Sequence, residues 1–171
     1  MSRWLLLAGG VFAVLGASAA AAAPMVRATV SHMCCGACAN AVKGGVSGVA
    51  WIANVTAEPA SKSVTVTAKE GMPIDVAALT AALSKTGFPP QVVVLTGARA
   101  LDVNVGHLCC GGCVGPLKAA LSGVTWIAGA DVKPNAPVRL TLKEGAEIRL
   151  NELVDAMAKA GYSANGIAVA Q

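Results

Sequence analysis

Aromatic residues are scarce in this chain of 171 residues, with three tryptophans, two phenylalanines and one tyrosine. A core must therefore be assembled from small aliphatic side chains. Charged residues make up only 13% of the chain and no run of basic ones occurs, which removes the electrostatic footprint of a nucleic-acid binder. The alternating segments Val64 to Lys69 and Val138 to Lys143 contain no aromatic, whereas RNA-recognition sheets stack bases on aromatics in such strands. Cysteine is absent everywhere except His32 to Cys38, HMCCGAC, and His107 to Cys113, HLCCGGC, which together hold all six. No disulfide can therefore tie together the ends of a folded unit, and the thiols must act locally.

The chain starts with Met-Ser-Arg-Trp, a short positive stretch, followed by an apolar run from Leu5 to Ala17 and an Ala-rich tract up to Pro24. This order predicts a secretory signal peptide over residues 1–23, cut one or two residues before Pro24, since a proline directly after the cut is disfavoured. The apolar run is shorter than the roughly 20 residues that span a bilayer as a helix, although together with the Ala tract it could serve as an uncleaved anchor; no cysteine follows it closely enough for a lipid anchor. The expectation is a periplasmic or secreted chain with no membrane attachment once the leader is removed.

What remains is a tandem duplication. A shift of 75 residues lays His32, Cys34, Cys35, Gly36, Cys38, Lys43, Trp51 and Ile52 on identical partners from His107 onward. After a one-residue slip, Val64, Thr67, Ile74, Leu79, Lys85 and Gly87 meet their copies at a shift of 74. The repeats divide into domains at residues 24–97 and 98–171, joined through Thr96-Gly97-Ala98-Arg99.

Within each repeat the hydrophobic period alternates between that of a strand and that of a helix. A strand over Val26 to Ser31, or Leu101 to Gly106, leads into the cysteine heptad. A helix starting near Cys38 carries Val42 and Val46 on one face, as Leu117 and Leu121 do in the copy, with Pro116 tolerated in its first turn. Strands follow around Trp51 and Trp126, then through Val64, Val66 and Ala68 or Val138, Leu140 and Leu142. A second helix buries Val76, Leu79 and Leu83, or Leu150, Leu153 and Met157, and ends at Gly87 or Gly161 before a last strand. The order βαββαβ, made twice, predicts an α+β fold: two tandem ferredoxin-like domains, each a four-stranded antiparallel sheet with two helices on one face.

In each heptad, Cys35-x-x-Cys38 and Cys110-x-x-Cys113 set two thiols one turn apart near a helix start, where unpaired N–H groups favour the thiolate. Thiolates are soft donors that suit copper(I), zinc, cadmium or mercury(II) and not calcium or magnesium. Two sulfurs satisfy a near-linear ion, Cys34 or Cys109 would offer a third, and His32 or His107 would complete a Cys3His set. Adjacent side chains such as Cys34 and Cys35 are expected to diverge, which argues against all four donors closing on one ion; the two heptads could instead share one. Other readings stay open at this point: a plain disulfide in each CxxC, and two exposed histidines at strand ends. A bridge over so short a loop stabilises a fold little, and three cysteines per domain fit pairing poorly. Scattered Met25, Met72 and Met157 form no methionine-rich copper tract, and Trp51 and Trp126 read as packing residues.

The βαββαβ order with Met33-x-Cys35-x-x-Cys38 at the first strand-to-helix loop resembles the heavy-metal-associated domain. The likeness extends to Gly48-Val49, Gly123-Val124, Gly87-Phe88 and Gly161-Tyr162. It implies metal binding by Cys35, Cys38, Cys110 and Cys113, an apolar loop anchor at Met33 or Leu108, and a shielding role for Phe88 and Tyr162. Cys34 and Cys109 stand where the family commonly has threonine, and His32 and His107 where it commonly has glycine.

These readings favour a non-enzymatic protein that buffers or transfers a soft ion by thiolate exchange, Cu(I) first, then Zn(II) or Cd(II), then Hg(II). Its partners would be the ion and a metal-transporting membrane protein or another metal chaperone. The alternative is a periplasmic thiol-disulfide oxidoreductase using the CxxC pairs, against which stand the order of elements and the third cysteine.

Overall fold

A computed structural model describes residues 23–170; the signal peptide expected over residues 1–23 lies outside them but for Ala23. The first half runs β1 Met25–Val30, α1 Gly36–Val46, β2 Ile52–Glu58, β3 Ser63–Ala68, α2 Val76–Lys85 and β4 Pro90–Thr96. The second runs β5 Ala100–Val105, a 3-10 turn Gly111–Cys113, α3 Val114–Ser122, β6 Ile127–Asp131, β7 Val138–Leu142, β8 Ile148–Arg149, α4 Leu150–Lys159 and β9 Ala164–Ala170. All named pairings are antiparallel, in the orders β2-β3-β1-β4-β8 and β6-β7-β5-β9. This is the α+β ferredoxin-like architecture, twice. No helix of the described residues is long and apolar enough to cross a membrane.

The periodicities that predict the elements also fill the core. Val26, Ala28 and Val30 of β1 face Val64 and Val66 of β3, and the stripes Val42–Val46 and Val76–Leu79–Leu83 of the two helices cover them. Leu117, Leu121, Leu150, Leu153 and Met157 do the same over β5 and β7. Asp75 caps α2, its Oδ1 accepting the Ala78 N–H at 2.8 Å, an arrangement that satisfies one of the four unpaired donors of a helix start.

Both first helices depart from the sequence expectation. α1 begins at Gly36, so that Cys38 lies inside its first turn and Cys35 is its N-cap. In the second half a 3-10 turn comes first and α3 begins only at Val114. Pro116 is then the third residue of α3, where its missing N–H is still one of the unpaired four.

The larger departure is the fifth strand of the first sheet. β8, from the second half, pairs with β4 through Arg149 beside Val94 and Ile148 beside Leu95. The exchange is mutual: Ile74, the residue aligned with Ile148, makes a bridge to Ile167 of β9, its N–H donating at 2.6 Å and its carbonyl accepting at 2.9 Å. Asn151 Oδ1 accepts the Val93 N–H at 3.1 Å and extends the seam. Each half therefore uses the residues before its second helix to satisfy part of the other's edge strand, whose unpaired N–H and C=O groups would otherwise template association. Gly166 permits the approach, since a Cβ there would lie 3.2 Å from the Pro73 ring. Gly97, at φ 84°, turns the short linker.

The seam leaves a trace in the core. Trp51 Nε1 donates to the Asp75 carbonyl at 3.1 Å. Arg149, aligned with Asp75, belongs instead to β8, and the Trp126 indole N–H is buried without a partner. Both tryptophans are packing residues, as their positions suggest, but only the first is also tied by a hydrogen bond.

One contact between α1 and α2 yields a sharp expectation. A Cβ on Gly45 would fall on the Thr86 methyl, and Thr86 Oγ1 is held to the Leu83 carbonyl at 2.7 Å. Gly45→Ala should therefore destabilise the protein by about 1–3 kcal/mol through overpacking, outweighing the roughly 1 kcal/mol that alanine gains over glycine in a helix. The second half carries alanine at both aligned positions, Ala120 and Ala160. Adding Thr86→Ala should then restore the melting temperature; a Gly45→Ala variant as stable as the parent would contradict the reading.

Candidate metal site

Each cysteine loop is built by the same local steps. The pairing of β1 with β4 shifts register between Thr29 and Val30, and that of β5 with β9 shifts between Asn104 and Val105. An irregularity of this kind re-aims a strand at its end, here directly before the heptad. Met33 then plugs the core at 0% exposure and Leu108 at 4%, so the apolar anchor survives the exchange of residue. With that side chain buried, the following two cysteines are forced outward, and Cys34, Cys35, Cys109 and Cys110 are exposed. Cys38 and Cys113, one turn further on, are half-buried and rest against the core.

In the first loop the Cys35 thiol donates to Cys38 Sγ at 3.2 Å, and the Cys38 backbone N–H donates to Cys35 Sγ at 3.5 Å. That backbone N–H, followed by the Cys38 thiol, pulls the Cys35 pKa below the ordinary thiol range. Cys34 is pushed up, first by its hydrogen bond with Cys38 and then by the charges of Cys38 and Cys35. In the second loop Cys110 and Cys113 Sγ stand 3.5 Å apart. The Cys113 side chain, then its backbone N–H, lowers Cys110, while the same contact and burial raise Cys113. A thiolate alkylates and a thiol does not. In reduced, metal-free protein, Cys35 and Cys110 are therefore expected to take up iodoacetamide at lower pH than Cys34 and Cys113, as peptide mass mapping across a pH series would record. Equal onset at all four would contradict the cap geometry.

The three sulfurs of Cys34, Cys35 and Cys38 all lie within 4.8 Å of one another, and so do those of Cys109, Cys110 and Cys113. The expected divergence of neighbouring cysteines does not occur. The peptide does not run straight through the pair: Cys35 is extended at φ −150° and ψ 169° and the helix starts at the next residue, so the chain curls back and gathers Cys34 over the turn. Cys110 repeats this at φ −146° and ψ 166°. Exposed His32 and His107 are in neither group, and among the described residues no group joins cysteines of both loops. A Cys3His set and an ion shared between the two loops are thus not assembled here.

The second loop is fastened by Tyr162, which the resemblance places beside it, and by Asn135, which the sequence reading does not single out. Tyr162 is buried and its Oη donates to the Cys113 carbonyl at 2.9 Å; Phe88, aligned with it, has no hydroxyl to offer. Asn135 donates its backbone N–H to the Leu108 carbonyl at 2.7 Å and its Nδ2 to the Cys109 carbonyl at 3.4 Å. Asn135 is left-handed at φ 56°, a conformation that asparagine tolerates better than most residues. Its place in Pro134-Asn135-Ala136-Pro137 was the available signal. Desolvation raises the Tyr162 pKa, which keeps the phenol protonated as a donor.

The chain belongs to the heavy-metal-associated domain family through residues 28–89, which match that domain. Among solved structures it is similar to a gold binding protein, at 32% identity over 38% of this chain and 94% of that one, with a TM-score of 0.33. It is also similar to oxidized MerP from Ralstonia metallidurans CH34, at 28% identity over 40% and 96% of the two chains, with a TM-score of 0.36. The water-soluble region of the P-type ATPase CopA from Bacillus subtilis is similar over 85% of this chain and 89% of that one, at 20% identity and a TM-score of 0.37. The family match carries the assignment, since the TM-scores stay below 0.5. No curated protein matches the chain.

Proposed function

We propose that this protein captures a soft metal ion outside the cytoplasm, one per domain, and buffers it or hands it to a partner by thiolate exchange. The observation that carries the reading is the pair of close sulfurs at each exposed helix start, 3.2 Å apart in one loop and 3.5 Å in the other. Copper(I) is the leading cargo because two close thiolates satisfy it; zinc or cadmium follow and mercury(II) comes after them. No catalytic step of its own is assigned. Exchange suits this geometry: a surface pair can accept a sulfur from an incoming ligand before losing one of its own, so the ion passes without release. The predicted signal peptide supports a periplasmic or secreted setting, where the partner would be a metal-transporting membrane protein or another chaperone.

The test is metal content. Mature protein purified anaerobically and loaded with copper(I) should hold two equivalents per chain, one for each sulfur group. Reduced protein that binds neither copper, zinc, cadmium nor mercury would sink the proposal. The lowered pKa of Cys35 and Cys110 also favours a second reading, disulfide exchange; turnover of a disulfide substrate by the metal-free protein would bring it forward.

A further inference from the structure

Resting on that soft-metal reading, we propose that Cys34–Cys35–Cys38 and Cys109–Cys110–Cys113 are each a three-thiolate site matched to a trivalent thiophilic ion of the arsenite kind. The convergence of the third sulfur is the first ground. It occurs independently in both loops, although nothing in an extended chain would bring Cys34 toward Cys38, and in the second loop Asn135 holds the Cys109 carbonyl at 3.4 Å. Around a pyramidal ion with metal–sulfur bonds of about 2.3 Å, three sulfurs stand roughly 3.5 Å apart; the Cys35–Cys38 and Cys110–Cys113 pairs are already at 3.2 and 3.5 Å, and with all three sulfurs within 4.8 Å of one another only Cys34 or Cys109 has to close in.

Exposure is the second ground. Two of the three cysteines in each loop are exposed and the third is half-buried, so the sulfurs can serve an ion from one side only. Histidine, the donor that would close a tetrahedron, is in neither group. An ion with a lone pair takes three ligands on one side and needs none on the other.

Charge is the third. Among the described residues the hydrogen bonds to these sulfurs come from one another and from the Cys38 backbone N–H, not from a lysine, arginine or histidine. Three thiolates on a monovalent ion leave two uncompensated negative charges, and on a divalent ion one. On a trivalent ion they leave none, so the filled site is neutral. The reaction balances without an oxidant or reductant: As(OH)3 and three thiols give As(S-Cys)3 and three waters. Three S–H and three As–O bonds break, and three As–S and three O–H bonds form.

The experiment titrates reduced mature protein anaerobically with arsenite and, separately, with copper(I), counting free thiols and following the arsenic–sulfur absorption in the ultraviolet. The parent should lose three thiols per arsenite and bind two arsenites per chain. Cys34→Ser with Cys109→Ser should weaken arsenite by more than about 100-fold, beyond the ~10–100-fold that loss of an outer partner costs a metal site, and leave two copper(I) per chain. Arsenite binding that survives the substitutions, that consumes two thiols per ion, or that never occurs would overturn the inference. So would equal weakening of arsenite and copper(I). Copper(I) retained in any of these cases leaves the soft-metal reading standing; copper(I) absent from the parent removes that reading itself.

Discussion

Changing Cys35 and Cys38 together to serine should lower copper(I) from two equivalents per chain to one, because the two sulfur groups share no residue. Serine is close in size and the pair lies at the surface or half-exposed, so the fold should tolerate the change. Serine also keeps an oxygen that can accept the Cys38 N–H and so preserve the cap of α1. What it removes is the soft anionic donor, and two hydroxyls hold copper(I) poorly. The matching change of Cys110 and Cys113 should give the same halving, and all four together should abolish binding. A fall to zero from either pair alone would mean an ion held jointly by the two loops, whereas among the described residues no group mixes their sulfurs. Circular dichroism of each variant separates loss of metal from loss of fold.

Leu95→Ala should destabilise the first half by about 3 kcal/mol, within the range of 2–5 kcal/mol found for large-to-small changes in a core. Leu95 is 1% exposed and sits on β4, opposite Val26 of β1 on one side and Ile148 of β8 on the other. A domain of this size has few kcal/mol to lose. The seam gives the experiment a second reading. Trp51 and Trp126 report one half each, so urea unfolding followed in Trp51→Phe and Trp126→Phe backgrounds resolves them. Because β8 and Ile74 join each half to the other, the loss should appear at both tryptophans. A transition that moves only at Trp51 would show the two halves to be energetically independent.

The duplication itself was plain in the chain, since identical residues recur at fixed spacing and the alternation of Val64, Val66 and Ala68 or the stripe Leu150, Leu153 and Met157 needs no tertiary information to be read. The exceptions have separate physical causes. The sequence places the start of α1 two residues late because its N-cap is Cys35, outside the Ser, Thr, Asp and Asn set that marks helix starts. β8 escaped because two residues, Ile148 and Arg149, carry no period at all, and their partner β4 lies far away in sequence. The gathering of Cys34 with Cys35 and Cys38 contradicts the alternation of a straight strand, and only the curl before Gly36 explains it. The second-loop ties from Tyr162 and Asn135 pass between segments remote in the chain; the Pro134-Asn135-Ala136-Pro137 turn and the Gly161-Tyr162 pair mark these residues, but not the carbonyls they meet.

The mutual seam also limits how far this architecture can grow. Each half offers one outer edge of the β4 type and one pre-helix segment to lie on it, and in the pair both offers are already taken. Such a contact is self-complementary and closes on itself, so a third repeat appended to either end would find no such berth free. Two is the number at which this mode of assembly is saturated, and any longer array would have to invent another joint.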